Sequence, residues 1–170
     1  MRDPVANNKL YMDKILLFVD GSVHAQSKAG YGAYLLVWEN ELLLESFKPE
    51  VKLKRFENTN STQLELQTLL WALKEIQAIT ANVVVYTDSQ NIMGLPGRRE
   101  ALEQKNYHSK KNVLLQNHEL YCEFYRLLDE MDFELLKVQG HMPSRQKINI
   151  DKLFTLVDRA SRKAMKGENF

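Results

Sequence analysis

Short apolar runs and helically spaced apolar stripes divide this chain into segments. Ile15–Val19 is a continuous apolar run that stops abruptly at Asp20-Gly21-Ser22, which predicts a buried strand entering a turn. After Gly30, the stretch from Tyr31 to Trp38 reads as a second strand. Glu39-Asn40-Glu41 would then turn the chain into a third, Leu42–Phe47. Over residues 62–79 the period changes, with Leu66, Leu69, Leu70, Leu73, Ile76 and Ile79 on one helical stripe. Val83–Tyr86 is short and rich in β-branched residues, a strand that ends at Thr87-Asp88-Ser89-Gln90. Pro96 and Gly97 break the segment after it. Residues 117–130 read as a helix, Phe133–Val138 as a strand and 150–165 as a helix. The predicted order β-β-β-α-β-α-β-α points to an α/β fold, a five-stranded mixed sheet flanked by helices. Residues 1–170 form one domain, with 1–12 as a loose polar lead-in.

Composition narrows the class without naming a function. Apolar residues make up 44% and charged residues 26% of the 170, an ordinary globular mix with enough length for one core. Cys122 is the single cysteine, which excludes an internal disulfide and a Cys-rich zinc site. No apolar run approaches ~20 residues, so no membrane span is expected. The first residues, Met1-Arg2-Asp3-Pro4, lack an apolar signal core. A cytoplasmic monomer is the resulting expectation. The net charge of +1 announces no polyanion partner, so any basic surface must be local.

Three carboxylates fall where elements meet. Asp20 closes the first strand, Asp88 follows the fourth, and Glu65 lies in the first turn of the helix between them. Taken singly, each has a local explanation: Asp20-Gly21 as a turn, Thr62-Gln63-Leu64-Glu65 as a capping box, Asp88-Ser89 as a helix cap. Taken together they converge if the first and fourth strands are parallel neighbours, because both aspartates then emerge at one sheet edge. Such a cluster repels itself unless a cation neutralises it. Magnesium prefers oxygen ligands, and two such ions about 4 Å apart can drive phosphodiester hydrolysis.

Four motifs in order resemble the ribonuclease HI family. Phe18-Val19-Asp20-Gly21-Ser22 with Gly30-Tyr31-Gly32-Ala33 resembles its opening hairpin. Asn60-Ser61-Thr62-Gln63-Leu64-Glu65-Leu66 resembles its glutamate helix, and Tyr86-Thr87-Asp88-Ser89-Gln90 its fourth strand and following turn. Lys137-Val138-Gln139-Gly140-His141 resembles its fifth strand and histidine loop. The resemblance extends over roughly residues 14–166. It implies an endonuclease that hydrolyses the RNA strand of RNA–DNA hybrids using two Mg²⁺ or Mn²⁺ ions. Asp20, Glu65 and Asp88 would be catalytic metal ligands, and His141 would assist proton transfer or product release from a mobile loop.

The family's fourth carboxylate is an aspartate in the last helix, for which this chain offers two candidates. The interval from His141 fits Asp151, whereas Asp158-Arg159-Ala160-Ser161-Arg162-Lys163-Ala164 resembles the family's aspartate followed by small residues and an arginine. Seven residues are two helical turns, so the two share a face about 10 Å apart and periodicity does not choose. Asp151-Lys152-Leu153 resembles the family's motif as well, and the reading leans to Asp158 as the metal ligand, with Asp151 as the alternative ligand or a helix cap. By position, Gly21, Ser22, Gln26, Ser61, Thr62 and Gln90 would read the 2′-hydroxyls that distinguish RNA from DNA. Ser61-Thr62 stands where the family often carries an asparagine pair. Residues 96–111 fall in the place of a basic protrusion that grips the DNA strand. There Arg98, Arg99, Lys110 and Lys111 are the expected phosphate contacts, and Tyr107 and His108 could stack. The tryptophans usual in that element are missing. Arg159, Arg162, Lys163 and Lys166 make a second basic group. Two alternatives stay open: a related nuclease acting on DNA, such as a resolvase or exonuclease, and a non-catalytic hybrid-binding module.

Overall fold

The computed structural model describes residues 13–138 and 144–168, with side chains in the last helix from Asn149 onward. The lead-in over 1–12 and the loop residue His141 lie outside the described residues. Among those described, five strands form one mixed sheet in the order β3-β2-β1-β4-β5. They are β1 Lys14–His24, β2 Ala29–Trp38, β3 Lys52–Phe56, β4 Asn82–Thr87 and β5 Phe133–Lys137. β1–β2 and β2–β3 pair antiparallel, while β1–β4 and β4–β5 pair parallel. The helices are α1 Ser61–Ile76, α2 Gln90–Gln104, α3 His118–Glu130 and α4 Ser144–Lys166.

Strand alternation divides the core into two layers. Ile15, Leu17 and Val19 of β1 point to one face, where they meet Leu66, Leu69, Leu73 and Ile76 of α1 and, further out, Phe124 and Leu127 of α3. Leu16 and Phe18 point to the other, where they meet Ile150, Leu153 and Val157 of α4. This is the period of two expected of a strand buried on both faces. Among the described residues, no helix is long and apolar enough to cross a membrane.

Several boundaries differ from the sequence expectations. β1 does not end at Asp20 in a turn. It runs on to His24, with Asp20, Gly21 and Ser22 paired to Ala33, Gly32 and Tyr31 of β2. The third strand is not Leu42–Phe47. That stretch opens with a 3-10 turn over Glu39–Leu43, and Leu42 and Phe47 pack on the second core while Leu43 is 87% exposed. The actual edge strand, Lys-Leu-Lys-Arg-Phe over 52–56, buries little and so carries no apolar signal; lysines on an edge also discourage pairing with other chains. Pro96 and Gly97 do not break the chain, because α2 continues through them to Gln104. Ile92, Leu95 and Leu102 are buried along it, and the Tyr125 hydroxyl donates to the Leu95 carbonyl at 2.7 Å, so tertiary contacts outweigh poor local propensity. α4 begins at Ser144 rather than near 150. Ile150 therefore lies within α4 and shares its apolar stripe with Leu153 and Val157.

Candidate active site at the sheet edge

The site forms where the pairing of β1 with β4 stops. The last registered pair is Phe18 with Tyr86, and those rings stack with centroids 5.0 Å apart. Two residues further on, the same register sets Asp20 beside Asp88, and alternation gives both the face of Phe18 and Tyr86, which is the α4 face. α4 answers with Asp158, directly after the buried Val157. There the Asp20 and Asp158 carboxyls lie close enough to interact directly.

Glu65 comes from the opposite layer. Asn60 caps α1 by accepting the Gln63 N–H at 2.9 Å, so the Thr62–Glu65 capping box does not form and Glu65 is released from the helix start. The first turns of α1 lie unusually close to the hairpin. A Cβ on Gly32 would stand 2.2 Å from Thr68 Oγ1, and one on Gly30 would stand 2.4 Å from the Ser22 carbonyl and 2.9 Å from Leu64. Those glycines let Leu64 and Thr68 sit on the strands, and Glu65 is carried toward the edge with them. There Ser89 Oγ donates to Glu65 Oε2 at 2.6 Å while accepting from the Ile92 N–H at 3.2 Å. Ser89 thus caps α2 and orients Glu65 at once. The expected Asp88-Ser89 cap is Ser89.

The electrostatics are those of an acidic cluster that is only partly compensated. Burial, then the Asp88 charge, and then the hydrogen bond and charge of Asp158 push Asp20 up to about 8, against a lowering contribution from the Gly21 N–H. Glu65 is raised chiefly by burial, opposed by Ser89 and aided by Asp88. Arg162 approaches one member, 2.9 Å from Asp158. Ser161, fully buried, donates to the Asp158 carbonyl at 3.0 Å and stands 3.3 Å from the Ser22 hydroxyl, which ties α4 to β1. Asp151 lies in the interior of α4, seven residues before Asp158. It therefore does not cap the helix, and it stands about 10 Å from Asp158 along the axis.

Among the described residues, no three His, Cys, Asp or Glu side chains are gathered as a ready-made metal cage. The donor set nevertheless suits magnesium, which keeps several waters and takes one or two carboxylates plus substrate phosphate rather than an all-protein shell. Asp20 with Asp88 and Asp158, and Glu65 with Asp88, are neighbours of that kind.

The remaining expected contacts divide. Gly21 and Ser22 lie beside Asp20 in β1, Gln26 is exposed at the hairpin tip, and Ser61 and Thr62 are exposed at the start of α1. Gln90 is the first residue of α2, and its side chain accepts from Lys137. Beside this edge a polar cleft of about 550 Å³ is lined by Lys28, Asn58, Asn60, Ser61, Gln63 and Gln116, among others. The joint placing of Lys28, Asn60 and Gln116 carries no sequence signal, because their approach is made only by folding. Arg98 and Arg99 belong to α2 and turn toward α3. The Arg99 guanidinium holds Asp129 at 2.6 and 2.7 Å and Glu103 at 2.8 Å and lies over Tyr125; Arg98 lies over Tyr121. Arg99 thereby fastens two helices together, while Arg98 remains exposed over Tyr121. Tyr107 packs in part against the core and lies near Cys122, its phenol pushed up to about 12 mainly by burial. Lys110 and Lys111 are exposed in the loop between α2 and α3.

Comparisons with known proteins agree with this architecture. A solved structure of a foamy viral protease–reverse transcriptase in complex with dsDNA superposes with a TM-score of 0.62 at 10% identity, covering 89% of this chain and 94% of that one. The crystal structure of LC9-RNase H1, described as a type 1 RNase H with the type 2 active-site motif, superposes with a TM-score of 0.69 at 16% identity, covering 94% of this chain and 75% of that one. At such identities these likenesses concern the fold. Comparison with curated protein sequences finds no match. The family model described as RNase H matches residues 12–160, a span that takes in Asp20, Glu65, Asp88 and both aspartates of α4, and the chain belongs to the RNase H family.

Proposed function

We propose that this protein is an endonuclease that hydrolyses the RNA strand of RNA–DNA hybrids with two divalent ions, Mg²⁺ or Mn²⁺. The observation that carries the proposal is Asp20, half-buried between Asp88 and Asp158 and pushed up to about 8 by burial and by their charge. A structural carboxylate is ordinarily lowered by a cation or by donors; this one is raised, as expected of a site organised for a cation that arrives with substrate. Asp20, Glu65, Asp88 and Asp158 would hold the ions, which when bound supply Lewis acidity at the phosphodiester and an activated water.

The chain's own groups supply the rest. Ser89 orients the Glu65 carboxylate, and Ser161 fixes α4 so that Asp158 faces Asp20. His141 takes the role of proton transfer or product release that its position implies. Gly21, Ser22, Gln26, Ser61, Thr62 and Gln90 offer backbone and side-chain groups for 2′-hydroxyls. Lys28 and the amides at the start of α1 suit a backbone phosphate in the polar cleft, and Lys110 and Lys111 add charge further out.

The test is incubation of end-labelled RNA–DNA hybrid, single-stranded RNA and double-stranded DNA with and without Mg²⁺ or Mn²⁺. Metal-dependent cleavage of the hybrid's RNA strand is expected, leaving 5′-phosphate and 3′-hydroxyl ends, with the other substrates nearly intact. Equal cleavage of double-stranded DNA would move the chain to the DNA-cutting nucleases of this fold. Hybrid binding without cleavage under either metal would leave a binding module.

A further inference from the structure

We infer that Thr87 is a positioning residue: its hydroxyl closes a turn over Asp88 and so sets how the Asp88 and Glu65 carboxylates are offered together to a divalent ion. The inference rests on the reading above for what the ion does, and on the geometry where β4 meets α2 for how the residue acts.

Thr87 is the last residue of β4 and is buried. The neighbouring strand fixes its backbone, because it stands in register with Lys137 of β5 and its carbonyl accepts the Val138 N–H at 2.9 Å. Alternation gives its side chain the face of Val83 and Val85, which is the α1 face. There the Thr87 Oγ1 accepts the Ser89 N–H at 3.1 Å. That bond spans Asp88 and closes the kind of turn in which a side-chain hydroxyl stands in for a backbone carbonyl.

α2 itself offers the Ser89 N–H no acceptor. Ser89 is the N-cap of that helix and is buried. In a capping box, a Glu or Gln three residues on would reach back to the N-cap N–H. The residue at that place is Ile92, which has nothing to accept with. A buried N–H left without a partner is costly, and Thr87 supplies the partner. The Ser89 hydroxyl is engaged as well, accepting from the Ile92 N–H at 3.2 Å and donating to Glu65 Oε2 at 2.6 Å. The bonds therefore run from Thr87 through Ser89 to Glu65, with Asp88 enclosed between the first two. One end is anchored in the sheet, and the other holds a carboxylate brought by α1. Opening the turn would release Asp88 and shift the serine that orients Glu65, so both carboxylates would move at once. Thr87 lies in the stretch that resembles the family's fourth strand, but that resemblance assigns its hydroxyl no role.

Two variants separate positioning from packing. Thr87→Val keeps the shape and removes the acceptor, whereas Thr87→Ser keeps the acceptor and removes a methyl. Mg²⁺ alone is titrated into the substrate-free protein and followed by amide NMR. Thr87→Val should weaken Mg²⁺ binding about fivefold, the worth of one ordinary hydrogen bond, and its Ser89 amide should lose protection from hydrogen exchange. Thr87→Ser should bind Mg²⁺ as the parent does, although the lost methyl lowers its Tm. In steady-state cleavage of a hybrid, Thr87→Val should raise the Mg²⁺ concentration needed for half-maximal rate, with KM for the hybrid changed less than about twofold. Thr87→Ala, which also lacks the acceptor, repeats the comparison should Thr87→Val not fold. Mg²⁺ binding unchanged in the variants without an acceptor would make Thr87 a packing residue and overturn the inference. So would Thr87→Ser weakened as much as Thr87→Val, or a parent protein with no Mg²⁺-dependent shift at Asp88 or Glu65. If Mg²⁺ binding follows the acceptor but the unmodified protein leaves hybrids uncut, the substrate reading fails and the positioning stands.

Discussion

Asp20 is the strongly perturbed carboxyl of the sheet-edge cluster, and its protonation has a measurable sign. Its pKa rises from 3.8 to about 8 on folding, first through burial and then through Asp88. The folded state therefore binds the proton more tightly than the unfolded chain. The associated stability is fully present below about pH 4 and is lost as pH rises through about 8. Thermal denaturation in metal-free buffer should show Tm falling across that window, and Asp20→Asn should flatten the fall and raise Tm at its alkaline end. The same substitution should cut turnover by at least ~100-fold at saturating Mg²⁺, since the ion loses an anionic ligand. A variant less stable than its parent at every pH would return Asp20 to a purely structural role within β1.

At the scale of elements, α4 decides which aspartate joins the cluster. The helix starts at Ser144, so Asp151 is as firmly helical as Asp158 and the two differ only in where the helix crosses the sheet. Ile150, Leu153 and Val157 set that crossing by burying against Leu16, Phe18 and Val84. Ser161 then locks it with its link to Ser22. Asp158→Asn should reduce turnover by ~100-fold or more, equivalent to about 2.7 kcal/mol of transition-state stabilisation, and Asp151→Asn by only a few-fold. Circular dichroism should find both folded, because neither side chain is in the core. Steady-state kinetics giving the reverse order would transfer the ligand to Asp151.

For the whole molecule, the question is how a chain of net charge +1 would hold the polyanion proposed as its substrate. Charge must be local, and folding has already assigned part of it: Arg99 is bound to Asp129 and Glu103, Arg126 to Glu123 and Glu130, and Arg162 to Asp158. Lys110 and Lys111 stand exposed in the loop after α2. Neutralising both should weaken hybrid binding and reduce the salt slope of the association constant by about 2, one for each phosphate no longer neutralised. Turnover of saturated enzyme should hardly change. Anisotropy titrations across salt concentrations measure this, and an unaltered slope would separate the loop from the nucleic acid. Substituting Arg99 should behave differently, lowering stability through the α2–α3 contact instead of the salt slope.

Much of this molecule is legible in one dimension. Asp20, Glu65 and Asp88 stand out because each interrupts a periodic apolar segment, and β1, α1 and β4 declare themselves because their residues are buried and burial writes a period into the chain. The mixed sheet follows from the order of those elements. What escaped is what burial does not write. β3 is a half-naked edge of Lys52, Lys54 and Arg55 with no apolar alternation. α2 runs through Gly94, Pro96 and Gly97 because Leu95, Tyr125 and the Ser89 cap hold it there. Arg99 carries charge that reads as solvent-facing until α3 is brought against it. Choosing between Asp151 and Asp158 is beyond periodicity, since seven residues return a helix to the same face. Only the crossing of α4 over β1 breaks that equivalence. Sequence by itself determined which side chains carry charge and which faces must be buried. The tertiary structure alone decided which charges meet, because an ionic or hydrogen-bonded contact depends on distances between segments that the local pattern of either segment does not contain.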